Sequence, residues 1–454
     1  MEKYEMLPTE ENLIETLYKD TINRNKDIVY FYNILQAQEF ASAMAIDGRW
    51  GSGKTFFVRQ TKMVINALNP SSVMDEEKRA KVTARLSFPN NGQDSDNCSI
   101  AVYYDAWEND NDTEPILSLI YEITKQLCVD FSLSDKSIVK IAGAIVEAIS
   151  GHNINGIKDA LSSDDPFTKF KEQKDIEGKI KDFLTGLLAE RGNRLVIFVD
   201  ELDRCKPTFT VHLLEQIKHY IFDDRITFVF SVNLEQLQHT IKHYYGTNFD
   251  SCRYLDRFFD LRITMPPADM DKFYNQIGLE SRYYVDIITK RVIKMFNFEL
   301  REITRFYSQV KAAVYEPTHD SGKYDFSFSD GKGRQIIMIY IVPLLIGLKI
   351  ADISKYDDFI NGKDGDPLKK LFDTDDQNRV LENMLNHDES FEQEDGKKLV
   401  TQEEVIIRFY EAIFVTQYTG GRYYTNLGQY EFSKESKSFA LSTSNMMSNF
   451  AVLS

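Results

Sequence analysis

Apolar positions along the chain follow two patterns. Short unbroken runs rich in Val, Ile and Phe occur at SAMAI (Ser42–Ile46), SIAVYYDAW (Ser99–Trp107), LVIFVD (Leu195–Asp200) and ITFVFSVN (Ile226–Asn233). Runs of this length and composition predict strands buried on both faces. Between them, apolar residues recur at three- and four-residue spacing in NRNKDIVYFYNILQAQEF (Asn23–Phe40), TFFVRQTKMVINAL (Thr55–Leu68), PILSLIYEITKQL (Pro115–Leu127) and TVHLLEQIKHYIF (Thr210–Phe222). That spacing predicts amphipathic helices, the third with proline in its first turn. Strands alternating with helices imply an α/β sheet. Val73 to Asn97 is charged and then turn-rich, so it contains a surface loop.

From Asp130 to about Lys181 the pattern is helical, which predicts an insertion at about 130–181 on the strand-bearing domain. Past Met265–Pro267 the strand signals fade. A boundary there gives a first domain over 1–267 and a mostly helical second domain over 268–454, with a hairpin or loop at YTGGRYYTN (Tyr418–Asn426) and an acidic loop at His387–Lys398.

The most apolar run, Ile336–Leu348, contains Pro343. It is shorter than the about 20 residues a spanning helix needs, so it reads as a buried helix kinked or broken at the proline. Ile138–Ile149 is a core or partner-facing helix. No transmembrane segment is expected. The opening MEKYEMLPTEEN is acidic and polar, unlike a secretory leader.

Composition narrows the classes. A chain of 454 residues, 43% hydrophobic and 27% charged, has room for two or three packed domains. With 54 Lys+Arg against 70 Asp+Glu, the net charge is −16. This argues against nucleic acid as the main partner, because such binders carry a basic footprint. Cys98, Cys128, Cys205 and Cys252 are dispersed, without zinc-type spacing, and read as reduced thiols of a cytoplasmic protein. His239 and His243 stand four apart but lack a third ligand, which makes them a solvated helix face.

The informative motif is GRWGSGKT, a complete G-x-x-x-x-G-K-[ST] between a strand and a helix. Backbone N–H groups of such a loop form an anion nest, and the following helix adds its positive end. Gly48, Arg49, Trp50, Gly51, Ser52, Gly53, Lys54 and Thr55, with Phe56 behind them, are the candidate ligands of a nucleotide. Lys54 is placed to reach the β- and γ-phosphates and Thr55 to offer its hydroxyl to Mg²⁺. A second half of the site is required, a carboxylate at the end of another strand. LVIFVDE supplies Asp200 for Mg²⁺ and Glu201 as the base that orients water. Asn233 ends the next strand, as a γ-phosphate sensor or a helix cap. Arg253, Arg257, Arg301 and Arg305 are candidates for an arginine finger or lid sensor, and Arg257 is carried forward among the catalytic residues.

Taken together, IDGRWGSGKT, YYDAWEND (Tyr103–Asp110), VDELDRCKP (Val199–Pro207) and YLDRFFDLRITMP (Tyr254–Pro266) resemble, in order, blocks of the KAP P-loop NTPases, the family of the plasmid exclusion protein PifA; FELREITRF (Phe298–Phe306) is similar to a lid helix. The resemblance covers roughly residues 10 to 310. It implies a doubly wound, mainly parallel sheet of the additional-strand type, with an extra strand between the loop strand and the strand ending at Asp200. It also implies ATP and Mg²⁺, a homo-oligomer, and a bacterial or phage-related member of an anti-phage or exclusion system that acts on a protein effector. Two positions depart from the family's pattern: Asp105 in Tyr104-Asp105-Ala106-Trp107, and Asn233 where an Asp is usual. The leading expectation is an ATP-hydrolysing conformational switch. An oligomeric ATP-binding scaffold with little turnover, a small-molecule kinase and a nucleic-acid motor are the other readings.

Overall fold

The computed structural model describes residues 7–72, 74–88, 98–112, 114–127, 178, 180–188, 192–220, 223–281, 283–315, 332–372, 401–419 and 423–445. The expected insertion lies outside them but for its last residues, as do the Ile138–Ile149 run, the acidic loop at 387–398 and Cys128. The chain forms two compact units, Met6–Phe273 and Tyr274–Ser454.

The first unit is an α/β layer structure around five strands, β1 (Ser42–Asp47), β2 (Ser99–Asp105), β3 (Arg194–Asp200), β4 (Ile226–Val232) and β5 (Leu261–Thr264). Their order is β2-β3-β4-β1-β5, and every neighbouring pair is parallel. β4 therefore lies between the loop strand β1 and the carboxylate strand β3, which is the extra-strand arrangement expected from the sequence.

Side chains alternate across a strand, and both faces are covered. One face carries Ala45, Val102, Tyr104, Ile197, Val199, Phe228 and Phe230 in a cluster with α5 (Pro115–Leu127), α6 (Pro207–Tyr220), α7 (Leu234–Tyr245) and the helical residues 180–188. The other carries Met44, Ile46, Ala101, Tyr103, Val196, Phe198 and Val229 against α1 (Glu10–Lys19), α2 (Asn25–Gln36) and α3 (Lys54–Leu68). Phe198 and Phe230 are 0% exposed on opposite faces, and burying such a side chain is worth about 1.5–3 kcal/mol. A continuous apolar run is thus what a two-sided strand requires. β5 is an edge strand, like β2 at the opposite side of the sheet, but its Leu261, Arg262 and Thr264 are exposed, so no apolar run marks it in the sequence. α4 (Glu76–Thr83), begun by the Asp75 side chain accepting from Lys78 N, occupies the charged part of Val73–Asn97, and the turn-rich residues 89–97 lie outside the described ones.

The second unit is mostly helical. Tyr284–Phe296 and Leu300–Val310 both begin with capping boxes closed by Asp286 and Glu302. Tyr424–Leu427 and Tyr430–Ser433 form an antiparallel hairpin. The helix around Pro343 is not broken. A π-helical turn, Ile337–Ile341, precedes Val342–Ala351, and a wider turn gives room for the backbone ahead of proline, which supplies no N–H. Among the described residues Lys332–Ala351 is therefore one run of 20 residues, long and apolar enough by length and composition to cross a membrane, yet 67% of its apolar window is buried inside the protein.

Candidate phosphate-binding site

The loop between β1 and α3 is held from two sides. Gly48 N donates to Val232 O on β4 at 3.2 Å. Arg24, only 5% exposed, donates from Nη1 to Ser52 O at 2.9 Å and from Nη2 to Pro266 O at 2.7 Å. It ties the loop to the segment after β5, a role no local pattern around Arg24 announces. Gly51 and Gly53 have φ of 87° and 89°, a region that side chains with a Cβ avoid. At Gly48 the constraint is close approach, since an added Cβ would lie 2.9 Å from Met265 Cβ and 3.0 Å from Ser52 Oγ. Met265 is buried and its Cβ moves only with the backbone. Gly48→Ala is therefore expected to cost about 1–3 kcal/mol of stability and to weaken nucleotide binding. Thermal melts with and without nucleotide check this; an unchanged melt means the loop relaxes around Met265.

Lys54 opens α3 and is 8% exposed. Its Nζ donates to Gly48 O at 2.5 Å and Arg49 O at 3.2 Å, so the ammonium is folded onto carbonyls of its own loop. Burial pushes it below its usual value, and the carboxylates of Asp203, Asp200 and Glu201 pull it back up. Thr55 follows on the first turn of α3, and Phe56 packs at the edge of the α3-side core.

The carboxylates stand at the end of β3. Asp200 is 1% exposed. Its Oδ2 accepts from the Tyr103 hydroxyl at 3.0 Å, and its Oδ1 from Glu201 N at 3.0 Å. Burial and the Asp200 charge raise the Tyr103 phenol, which stays a neutral donor, and Arg59 lies over the Tyr103 ring at 4.1 Å. Glu201 leaves the strand with φ 62° and ψ 19°. A residue with a Cβ in this left-handed region is uncommon, stores about 1–3 kcal/mol, and marks sites where geometry is imposed. Burial first, then Asp200, Asp203 and Asp105, push its carboxyl up to about 7, against the pull of Arg204. Arg204 Nε forms an ion pair with Glu201 Oε2, without hydrogen-bond alignment.

Two flanking positions serve the backbone. Asn233 Oδ1 accepts from Glu235 N at 3.1 Å and Gln236 N at 3.3 Å, capping α7, so its carbonyl oxygen is engaged in a cap. Asp105 Oδ1 accepts from Glu108 N at 3.1 Å in the turn after β2. Next to Asp200 in register stands Ser231, fully buried, with no partner for its hydroxyl among the described residues. Lying inside an apolar run, it was passed over in the sequence, as were Tyr103 and Arg24.

Arg257 is exposed at the end of the helix Ser251–Asp256, and Arg253 is exposed one turn earlier. Arg301 and Arg305 are exposed on Leu300–Val310 in the other unit. Among the described residues neither Arg253 nor Arg257 is placed at the loop by a contact. His239 and His243 are exposed on α7. Among the described residues no cluster of three His, Cys, Asp or Glu side chains could by itself hold a metal ion. Mg²⁺ is commonly held by one or two carboxylates together with substrate phosphates. Thr55 and the buried, pre-oriented Asp200 fit such an ion.

The sequence model described as the KAP family P-loop domain matches residues 24–314. No curated protein matches the sequence. A solved structure described as "Structure of the Aeropyrum Pernix ORC2 protein (ADPNP-ADP complexes)" is similar, with 10% identity, a TM-score of 0.32 and coverage of 99% of this chain and 97% of that one. So low a TM-score supports no argument about this chain.

Proposed function

The chain belongs to the KAP family of P-loop NTPases, and we propose that it binds ATP with Mg²⁺ and hydrolyses it as a conformational switch. The observation that carries this reading is one local charge arrangement. Trp50 of the phosphate loop donates to Asp203 at 2.6 Å, and the carboxylates of Asp203, Asp200 and Glu201 pull the buried Lys54 ammonium up, so the phosphate loop and the acidic strand end converge on one place. When bound, Mg²⁺ neutralises charge on the phosphate oxygens. The remaining work falls to side chains. Lys54 exchanges its contacts to Gly48 and Arg49 for phosphate oxygens. Asp200, fixed by Tyr103 and the Glu201 N–H, would hold the ion directly or through its water. The Glu201 carboxylate oxygen accepts the proton of the attacking water.

Steady-state phosphate release from ATP and from GTP, with mass in solution measured in parallel, tests the reading. Turnover of ATP supports it. Tight ATP binding without turnover turns the reading towards an oligomeric scaffold. Tyr103→Phe is expected to raise the Mg²⁺ concentration for half-maximal nucleotide binding by about 10-fold, because outer partners orient a metal's carboxylate. An unchanged Mg²⁺ requirement removes Asp200 from the metal's surroundings.

The switch is further assigned, on family resemblance alone, to a cytoplasmic anti-phage or exclusion system with a protein effector and a homo-oligomeric form. Loss of phage restriction in a Lys54→Ala strain is the expected result, and full restriction by that strain removes the ATP-dependent defence role.

A further inference from the structure

Arg204 is used by no step above, yet its surroundings are specific. Its guanidinium lies over two indole rings, 5.5 Å from the Trp50 centroid and 5.7 Å from that of Trp107. These are the 2 tryptophans of the whole sequence, and they come from different loops, Trp50 from the phosphate loop and Trp107 from the turn after β2. They are 45% and 55% exposed, a state in which an indole face is available to a planar cation. The adjacent Asp203 accepts from Trp50 Nε1 at 2.6 Å. Arg204 Nε also faces Glu201 Oε2, with the two side chains 22% and 16% exposed.

An ordinary surface pair three residues apart does not look like this. Such pairs are solvated and loosely oriented, whereas this one is largely covered and the guanidinium plane has an aromatic neighbour from each of two loops. A lysine could supply the charge but not the flat face that stacks on a ring. The turn after β3 is therefore linked to the phosphate loop twice, through Asp203–Trp50 and through Arg204–Trp50, and the same arginine reaches Glu201.

From this geometry we propose that Arg204 is a positioning residue for hydrolysis: held by Trp50 and Trp107, it sets the direction of the Glu201 carboxylate and makes that direction depend on the phosphate loop. The inference rests on the ATPase reading. Arg204 touches Glu201 and the indoles, so its removal acts on the chemical step more than on nucleotide binding.

The test is steady-state ATP hydrolysis by the full chain, with ATP affinity measured separately by calorimetry. Arg204→Ala is expected to lower kcat by about 10- to 100-fold with KM and ATP affinity changed by less than about 3-fold. Arg204→Lys recovers part of kcat. Trp107→Ala, which leaves the phosphate loop intact, lowers kcat in the same direction by a smaller factor. In a Glu201→Gln background Arg204→Ala has no further effect, because both act through one carboxylate. If Arg204→Ala no longer binds ATP normally, Trp107→Ala carries the test. Wild-type turnover with an unchanged or raised kcat in Arg204→Ala and Trp107→Ala overturns the inference alone. Absence of turnover in the wild type overturns the ATPase reading, and the inference with it.

Discussion

Glu201→Gln is expected to keep ATP bound and to lose hydrolysis by about 10²- to 10⁴-fold, the usual range for a positioned general base. The substitution preserves size and shape, so the strained turn at φ 62° is undisturbed. What changes is the chemistry of the oxygen that faces water, because a carboxamide oxygen accepts a hydrogen bond but does not take the proton away. The fold tolerates the loss of charge. Glu201 is half-buried beside Asp200, with Asp203 and Asp105 adding repulsion and Arg204 opposing it, and a neutral group relieves that crowding. ATP affinity by calorimetry and single-turnover phosphate release separate the two effects. Hydrolysis within a few-fold of wild type moves the base to another residue, whereas lost ATP binding makes Glu201 a ligand of the nucleotide.

The other large effect belongs to Lys54. Charge-assisted hydrogen bonds are worth about 1.5–3 kcal/mol each, so removing an ammonium that reaches two phosphates weakens binding by about 100-fold or more. Lys54→Ala is expected to abolish ATP binding at micromolar concentrations and turnover with it. The folded state is not expected to suffer. Burial lowers the Lys54 ammonium below its usual value. A lysine lowered in this way costs stability below its folded value, where it must stay charged in the interior. The cost fades as pH rises to the unfolded value. At neutral pH the charge thus works against the nucleotide-free fold, while the hydrogen bonds to Gly48 and Arg49 work for it. These opposed contributions leave the unfolding free energy of Lys54→Ala within about 1 kcal/mol of wild type, and its melting temperature near that of wild type. Normal ATP hydrolysis by this variant would remove the loop from the site, and a collapsed melt would make its loss of binding uninformative.

Particular residues show how much could be read in advance. β3 and β4 were legible because strands covered on both faces need unbroken apolar runs, and Val196 to Val199 and Phe228 to Phe230 provide them. β5 gives only a weak signal, since a strand whose Leu261, Arg262 and Thr264 face solvent needs no such run. The helix through Pro343 is expected to kink or break, because the rule against interior proline is local; the structure shows no break, but a π-helical turn, Ile337–Ile341, running into Val342–Ala351.

The sequence by itself determined the family, the glycine-rich loop and the identity of the two strand-end acids. Those features are local: a phosphate nest and a strand end each require particular residue types at fixed spacing along the chain. Only the tertiary structure decided which side chains meet around the loop and those acids. Tyr103 reaches Asp200 across 97 positions, Trp50 reaches Asp203 across 153, and Arg24 reaches Pro266 across 242. The structure likewise engaged the Asn233 carbonyl in capping α7 and brought Arg204 beside two tryptophans from separate loops. These are consequences of strand order, because parallel crossovers bring the ends of distant strands together at one edge of the sheet. No spacing along the chain encodes which side chains will meet there.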